Sequence, residues 1–76
     1  MQIKAINVTE ISFDSVVAVH SFSTDPEGVK EAEEKFKGMA RGNGWVGTED
    51  ELEERVEDGY WEQGDYQVFL TWSEWA

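Results

Sequence analysis

The stretch from Thr24 to Gly42 constrains this chain more than any other part of it. Thr24 stands three residues before Glu27, the spacing of a capping box, and Pro26 suits a first helical turn, where its missing N–H costs nothing. Val29, Ala32, Phe36, Met39 and Ala40 then recur at three- and four-residue steps, which predicts a helix over residues 26–41 with one apolar stripe. Glu31 with Lys35, and Glu33 with Lys37, are spaced for ion pairs on its wet side. Gly42 offers a left-handed cap, and residues 42–47 (GNGWVG) read as a loop. A single amphipathic helix must bury its stripe against another layer. In 76 residues without a cysteine, packing alone has to build that layer, as one domain spanning residues 1–76.

The rest of the chain supplies it. Residues 2–11 (QIKAINVTEI) and 16–23 (VVAVHSFS) are rich in Ile, Val, Thr and Phe and free of Gly and Pro, so both favour strands. Asp14 and Ser15 suit a turn between them, with Phe13 either in that turn or in a bulged continuation of the strand. Ile3 and Ile11 share one parity while Ile6 and Val8 share the other, which leaves register open and suggests a bulge. Thr48 and Glu51 repeat the capping-box spacing, and Asp58-Gly59 closes a second helix whose stripe is only Leu52 and Val56. Tyr60-Trp61-Glu62 and residues 66–73 (YQVFLTWS) then flank a Gln63-Gly64-Asp65 hairpin turn. In the last segment Tyr66, Val68, Leu70 and Trp72 read as the core face. The expected fold class is α+β: a small antiparallel sheet with two helices on one face, in the order ββαα followed by one or two strands.

Charge gives the one functional lead. Seventeen acids against six bases leave a net −11. Residues 1–24 contribute −1, residues 25–47 another −1, residues 48–65 contribute −8 through nine acids and Arg55, and Glu74 adds the last −1. High charge signals disorder only when large apolar residues are scarce, and here 39% of residues are hydrophobic and 13% aromatic, so the chain folds. Glu49, Asp50 and Glu51 suit a helix N-terminus, but Glu57 and Asp58 oppose the dipole at its far end. Asp50 with Glu54, and Glu49, Glu53 and Glu57 in series, are like-charged neighbours, each pair unfavourable by about 0.2–0.5 kcal/mol. Unfavourable choices gathered in one place point to a use for the field they create, although a solvated face is the commoner outcome of a charge run. Such a field repels nucleic acid and anionic membrane and attracts a basic protein surface. A four-residue helical step advances about 6 Å and successive phosphates about 3.4 Å, so carboxylates on neighbouring helix faces approximate a phosphate track.

The candidate partner-binding residues are therefore Glu49, Asp50, Glu53, Glu54, Glu57, Asp58, Glu62 and Asp65, with Trp61 as the aromatic anchor among them. Six of the ten aromatic residues fall in the last 17 positions. Trp45, Trp61 and Trp75 can each serve either the core or an interface. Catalytic and cofactor chemistry finds no support. His20 is the only histidine and reads as a structural, partly buried side chain, and exposed carboxylates stay ionised and make poor general acids. Residues 58–65 lack the alternating ligands of a calcium loop, and Gly42-Asn43-Gly44 lacks the lysine and preceding strand of a phosphate loop. No metal, cofactor or enzymatic activity is expected. No run approaches a membrane span and the N-terminus lacks a signal-peptide layout, so the expected setting is the cytoplasm.

A very small, cysteine-free, acidic domain with an acid-dense helix at residues 48–65 (TEDELEERVEDGYWEQGD) resembles the small phage-encoded inhibitors of host defence, the anti-CRISPR and anti-restriction proteins, several of which mimic DNA. The resemblance is one of class and carries no family motif. It implies a stoichiometric inhibitor in the host cytoplasm, seated in a basic nucleic-acid channel. Because the acids are confined to one segment, it implies a local plug rather than a full-duplex mimic. The competing expectation is an interaction or homo-oligomerisation module that uses the sheet edge and the C-terminal aromatics.

Overall fold

A computed structural model describes residues 3–75, with the side chains of residues 3, 74 and 75 left out of the description. Six elements follow one another: β1 (Ile3–Ser12), β2 (Ser15–Phe22), α1 (Pro26–Gly42), α2 (Glu49–Asp58), β3 (Tyr60–Gln63) and β4 (Tyr66–Trp75). The expected strand start at Gln2 and the placement of the Trp75 side chain lie outside the described residues.

The strands form one antiparallel sheet in the order β2-β1-β4-β3, and both C-terminal segments are strands. The two ten-residue strands, β1 and β4, pair along their whole length from Ile3↔Trp75 to Ser12↔Tyr66. This unbroken register puts Ile6 and Val8 on one face with Val68, where both helices cover them. Ile11 falls on the other face, which explains the parity conflict in the sequence. The bulge lies not in β1 but opposite it: Glu10 pairs with Ala18 and Ile11 with Val16, leaving Val17 as the extra residue of β2.

Two tight turns close the hairpins. Phe13 and Asp14 form the β1–β2 turn with φ of 51° and 64°, the double left-handed pattern of a type I′ turn, so Phe13 belongs to the turn rather than to a bulged strand. Gly64 and Asp65 form the β3–β4 turn, with only Gly64 left-handed, as in type II′. The Phe13 N–H donates to the Asp65 carbonyl at 3.1 Å, tying the two tips together.

Helix α1 starts one residue later than its capping-box spacing suggests. Asp25, not Thr24, is the N-cap: its Oδ1 accepts from the Gly28 N–H at 2.7 Å and from the Ser23 hydroxyl at 3.0 Å. Aspartate caps at least as well as threonine, and these hydrogen bonds hold its carboxyl below the usual range. Gly42 stays within the helix, and Asn43 caps the other end by donating from Nδ2 to the Met39 carbonyl at 2.8 Å. At α2 the reading holds in full. Thr48 Oγ1 accepts from the Glu51 N–H, the Glu51 carboxylate accepts in return, and Gly59 caps the C-terminus at φ 73°.

The core takes Ile6, Val8 and Val68 from the sheet, Ala32, Phe36, Met39 and Ala40 from α1, Leu52 and Val56 from α2, and Trp61 from β3. Trp72 was expected there by alternation but is 61% exposed. It faces the helix side, paired across from Ile6, yet it lies at the open end of the cleft between the helices. Among the described residues the opposite face of the sheet has no covering layer. A polar row crosses it, Ser21 hydroxyl to Asn7 Oδ1 and Asn7 Nδ2 to Ser73 Oγ, each 2.8 Å. Alongside it Val16 and Val19 are exposed and Tyr60 packs on Phe69 with ring centroids 4.9 Å apart.

Candidate functional site

Helix α2 packs against α1 and β3, which puts the acid-rich segment at one side of the sheet, across β1 and β4 from the edge strand β2. Its buried side, Leu52 and Val56, leaves most of the circumference to charged residues, which sort into two rows.

The row nearer α1 is neutralised. Lys37 Nζ donates to Glu53 and Arg41 donates to Glu49. Lys37 was expected on the wet side of α1, paired with Glu33, but it is buried between the helices. Its ammonium is held above the ordinary lysine range by the Glu53 hydrogen bond, in spite of desolvation. Arg41 likewise holds the Glu49 carboxyl below its usual range. An interhelical partner wins here because Lys37 points into the seam, where leaving its charge unpaired would be costly. Neither intrahelical pair expected from sequence, Glu31–Lys35 or Glu33–Lys37, forms among the described residues.

The outer row keeps its charge. Asp50, Glu54 and Asp58 follow one another down the solvent side, relieved among the described residues only by Arg55, which lies 3.1 Å from Asp58 Oδ2 and 3.9 Å from Glu54 Oε2, while Glu57 lies between the two rows, at the margin of a cleft toward α1. Asp50 and Glu57 have no side-chain partner among the described residues. Asp65 carries acid to the tip of the β3–β4 hairpin, whereas Glu62, alternating with the buried Trp61, lies on the opposite face of the sheet, where it accepts from Gln67 Nε2 at 3.4 Å and pushes the Tyr60 phenol up. Nine acids in residues 48–65 are met by Arg55 within the segment and by Lys37 and Arg41 from α1, so six net negative charges remain.

Trp61 is withdrawn from this surface. Only 8% exposed, it packs edge-on between Trp45 at 6.0 Å and Tyr66 at 6.1 Å, so it belongs to the core rather than to an interface. Trp45 seals the outer side of α2 against it, the core alternative of its two readings. His20, partly buried on the helix-facing side of β2 opposite Val8, takes the structural place expected of it.

One feature of the acidic side was not singled out from the sequence. A cleft of about 230 Å³ runs between the first half of α1 and the C-terminal end of α2, above β1 and β4, with Glu33 and Trp72 at its margin. Alternation assigned Trp72 to the core and four-residue spacing assigned Glu33 to Lys37, so each had a local explanation. The register decides it: the Leu70 N–H donates to the Gly59 carbonyl at the end of α2, so Trp72, two residues farther along β4, lies past that end.

Among the described residues no group of three or more His, Asp or Glu side chains could hold a metal ion, and no helix is long and apolar enough to cross a membrane. The fold and site define a small α+β protein with a bare sheet face and an acidic side. Compared with protein-family models, curated proteins and solved structures, the chain matches none.

Proposed function

We propose that this protein is a non-enzymatic inhibitor whose acidic side docks onto a basic, nucleic-acid-binding surface of a host defence or other nucleic-acid enzyme, acting as a local DNA mimic. The observation that carries this reading is the sorting of the charge. Lys37 and Arg41 neutralise the α1-facing row, while Asp50, Glu54 and Asp58 project from the solvent side of α2, Glu57 faces the α1–α2 cleft, and Asp65 follows at the hairpin tip. Two of the nominated residues, Glu49 and Glu53, serve chiefly to fasten α2 to α1, and Trp61 serves the core. Glu62 lies on the far face of the sheet, and the remaining five acids, Asp50, Glu54, Glu57, Asp58 and Asp65, form the docking surface. Over two turns of α2 their carboxylates span about 12 Å, the length of three to four phosphate steps, which suits a plug at one point of a channel.

The test is competition. Titrated into RNA-guided nucleases and restriction enzymes at low salt, the protein is expected to displace duplex DNA from a responsive enzyme. Inhibition is expected to weaken at least about tenfold on reversing Asp50 and Glu54 to Lys, and to fade as salt rises. Displacement that survives charge reversal, or no DNA-competitive target in the panel, overturns the reading.

A second reading has its own observation. The edge strand β2 (Ser15–Phe22) carries no Lys, Arg, Asp or Glu, and its Val16, Val17 and Val19 are exposed. Uncharged apolar edges are templates for strand pairing, so an interaction or homo-oligomerisation module would use this edge. A mass by light scattering that doubles with concentration supports it, and a monomer at millimolar concentration excludes it.

A further inference from the structure

The cleft between α1 and α2 differs from the rest of the acidic side in having an apolar interior. Ile6 and Leu70 of the sheet and Val29 of α1 line it, and Trp72, largely solvent-exposed, stands at its margin. Glu33 of α1 and Glu57 of α2 face it, and neither carboxylate has a side-chain partner among the described residues. Among the described residues no basic side chain lines it. The C-terminal end of α2 also opens here, at Asp58 and Gly59, and a helix C-terminus presents partial negative charge. Its volume of about 230 Å³ is below the roughly 300–1,000 Å³ of pockets that hold drug-sized ligands, so it suits one side chain rather than a nucleotide.

An apolar interior, an exposed indole and unpaired carboxylates at one rim specify a cation on a hydrocarbon stem. We propose that the cleft receives a single lysine or arginine side chain of the basic partner. The methylene stem lies over Ile6, Val29 and Leu70, and the charged head reaches Glu33 and Glu57 beside the Trp72 ring. Glu57 opposes the α2 dipole in the isolated protein, and this site gives it a counter-charge. The inference rests on the proposed docking of the acidic side and names the group that the partner inserts.

The probes are N-acetyl-lysine methylamide, N-acetyl-arginine methylamide and, as the uncharged isostere of the stem, N-acetyl-norleucine methylamide. Each is titrated into the ¹⁵N-labelled full chain at low salt. One or both cationic probes are expected to shift the Trp72 indole and the Val29 and Gly59 amides saturably, with the norleucine probe roughly fivefold weaker or worse. The double variant Glu33→Gln, Glu57→Gln keeps the apolar lining and is expected to lose that preference, its amide spectrum reporting that it remains folded. Equal response to all three probes, or cation shifts scattered over α2 without saturation, overturns the proposal. The DNA competition and its Asp50 and Glu54 reversal, which leaves the cleft lining intact, stand apart from this titration. A cleft that ignores the cationic probes while competition persists removes the inserted side chain and leaves the docking surface, whereas saturable binding without competition removes the inhibitor and leaves the site.

Discussion

At position 13 a phenylalanine occupies backbone geometry that favours asparagine or glycine. Phe13 has φ 51°, its neighbour Asp14 has φ 64°, and the Phe13 side chain is 76% exposed, so little burial offsets the strain. A left-handed conformation costs a residue with a Cβ about 1–2 kcal/mol, less for Asn and Asp and nothing for Gly. Replacing the turn by Phe13→Asn with Asp14→Gly, the commonest type I′ pair, is expected to stabilise the protein by about 1 kcal/mol. Urea denaturation checks this, and an unchanged midpoint would mean that the ring contributes packing to offset its backbone. Gly59 shows the same physics resolved by residue choice. At φ 73° a Cβ there would meet the Leu70 carbonyl oxygen at 2.6 Å, and the sequence supplies none.

At the scale of elements, the two helices are held by different means. Apolar contact joins α1 to the sheet through Phe36, Ala32 and Ala40, whereas α2 offers only Leu52 and Val56 and adds two ion pairs to α1. The Lys37–Glu53 pair matters most because Lys37 is buried. Glu53→Gln is expected to cost about 1–2 kcal/mol, by leaving a buried ammonium without its counter-charge, while Lys37→Met, which removes the charge with its need for a partner, costs less. Chemical denaturation of both variants distinguishes them, and the opposite ranking would mean that the pair is not a fastener. Glu57→Gln, at an unpartnered position, serves as the control and should be neutral or mildly stabilising. Sequence spacing had given Lys37 to Glu33, four residues back. That rule ranks neighbours within one helix and has no knowledge of a second helix arriving at the same face.

For the molecule as a whole, the charge is lopsided. A net −11 on 76 residues repels itself, and the repulsion concentrates around α2 because β2 carries no formal charge and α1 is nearly balanced. Raising monovalent salt from about 0.01 M to about 0.15 M shortens the Debye length from about 30 Å to about 8 Å. The thermal midpoint is therefore expected to rise with salt over this range, and to rise less in a variant with Asp50, Glu54 and Glu57 changed to neutral isosteres. A midpoint that falls with salt would mean that the α1–α2 ion pairs outweigh the repulsion. The same salt increase that steadies the free protein is expected to weaken its proposed complex, since the outer row is solvated in one and faces a basic surface in the other.

What the sequence determined by itself are the features that depend on neighbours within a few residues. The apolar stripe of α1, the Thr48–Glu51 capping box, the Gly59 cap, both hairpins and the confinement of charge to residues 48–65 were all legible, because helix periodicity, caps and tight turns are local. So was the α+β class, since the stripe needs a second layer and the Ile-, Val- and Thr-rich segments on either side of the helices favour strands. What only the tertiary structure decided depends on chain segments far apart in sequence. The pairing of β1 with β4 sets which parity is buried and leaves Ile11 on the bare face. The seam between α1 and α2 turns Lys37 inward and divides the acids into a neutralised row and a free one. The end of α2 falls short of Trp72, which converts an expected core residue into the margin of a cleft. Alternation and spacing say which way a side chain points along its own element. Whether anything stands opposite to cover or neutralise it is settled by packing between elements.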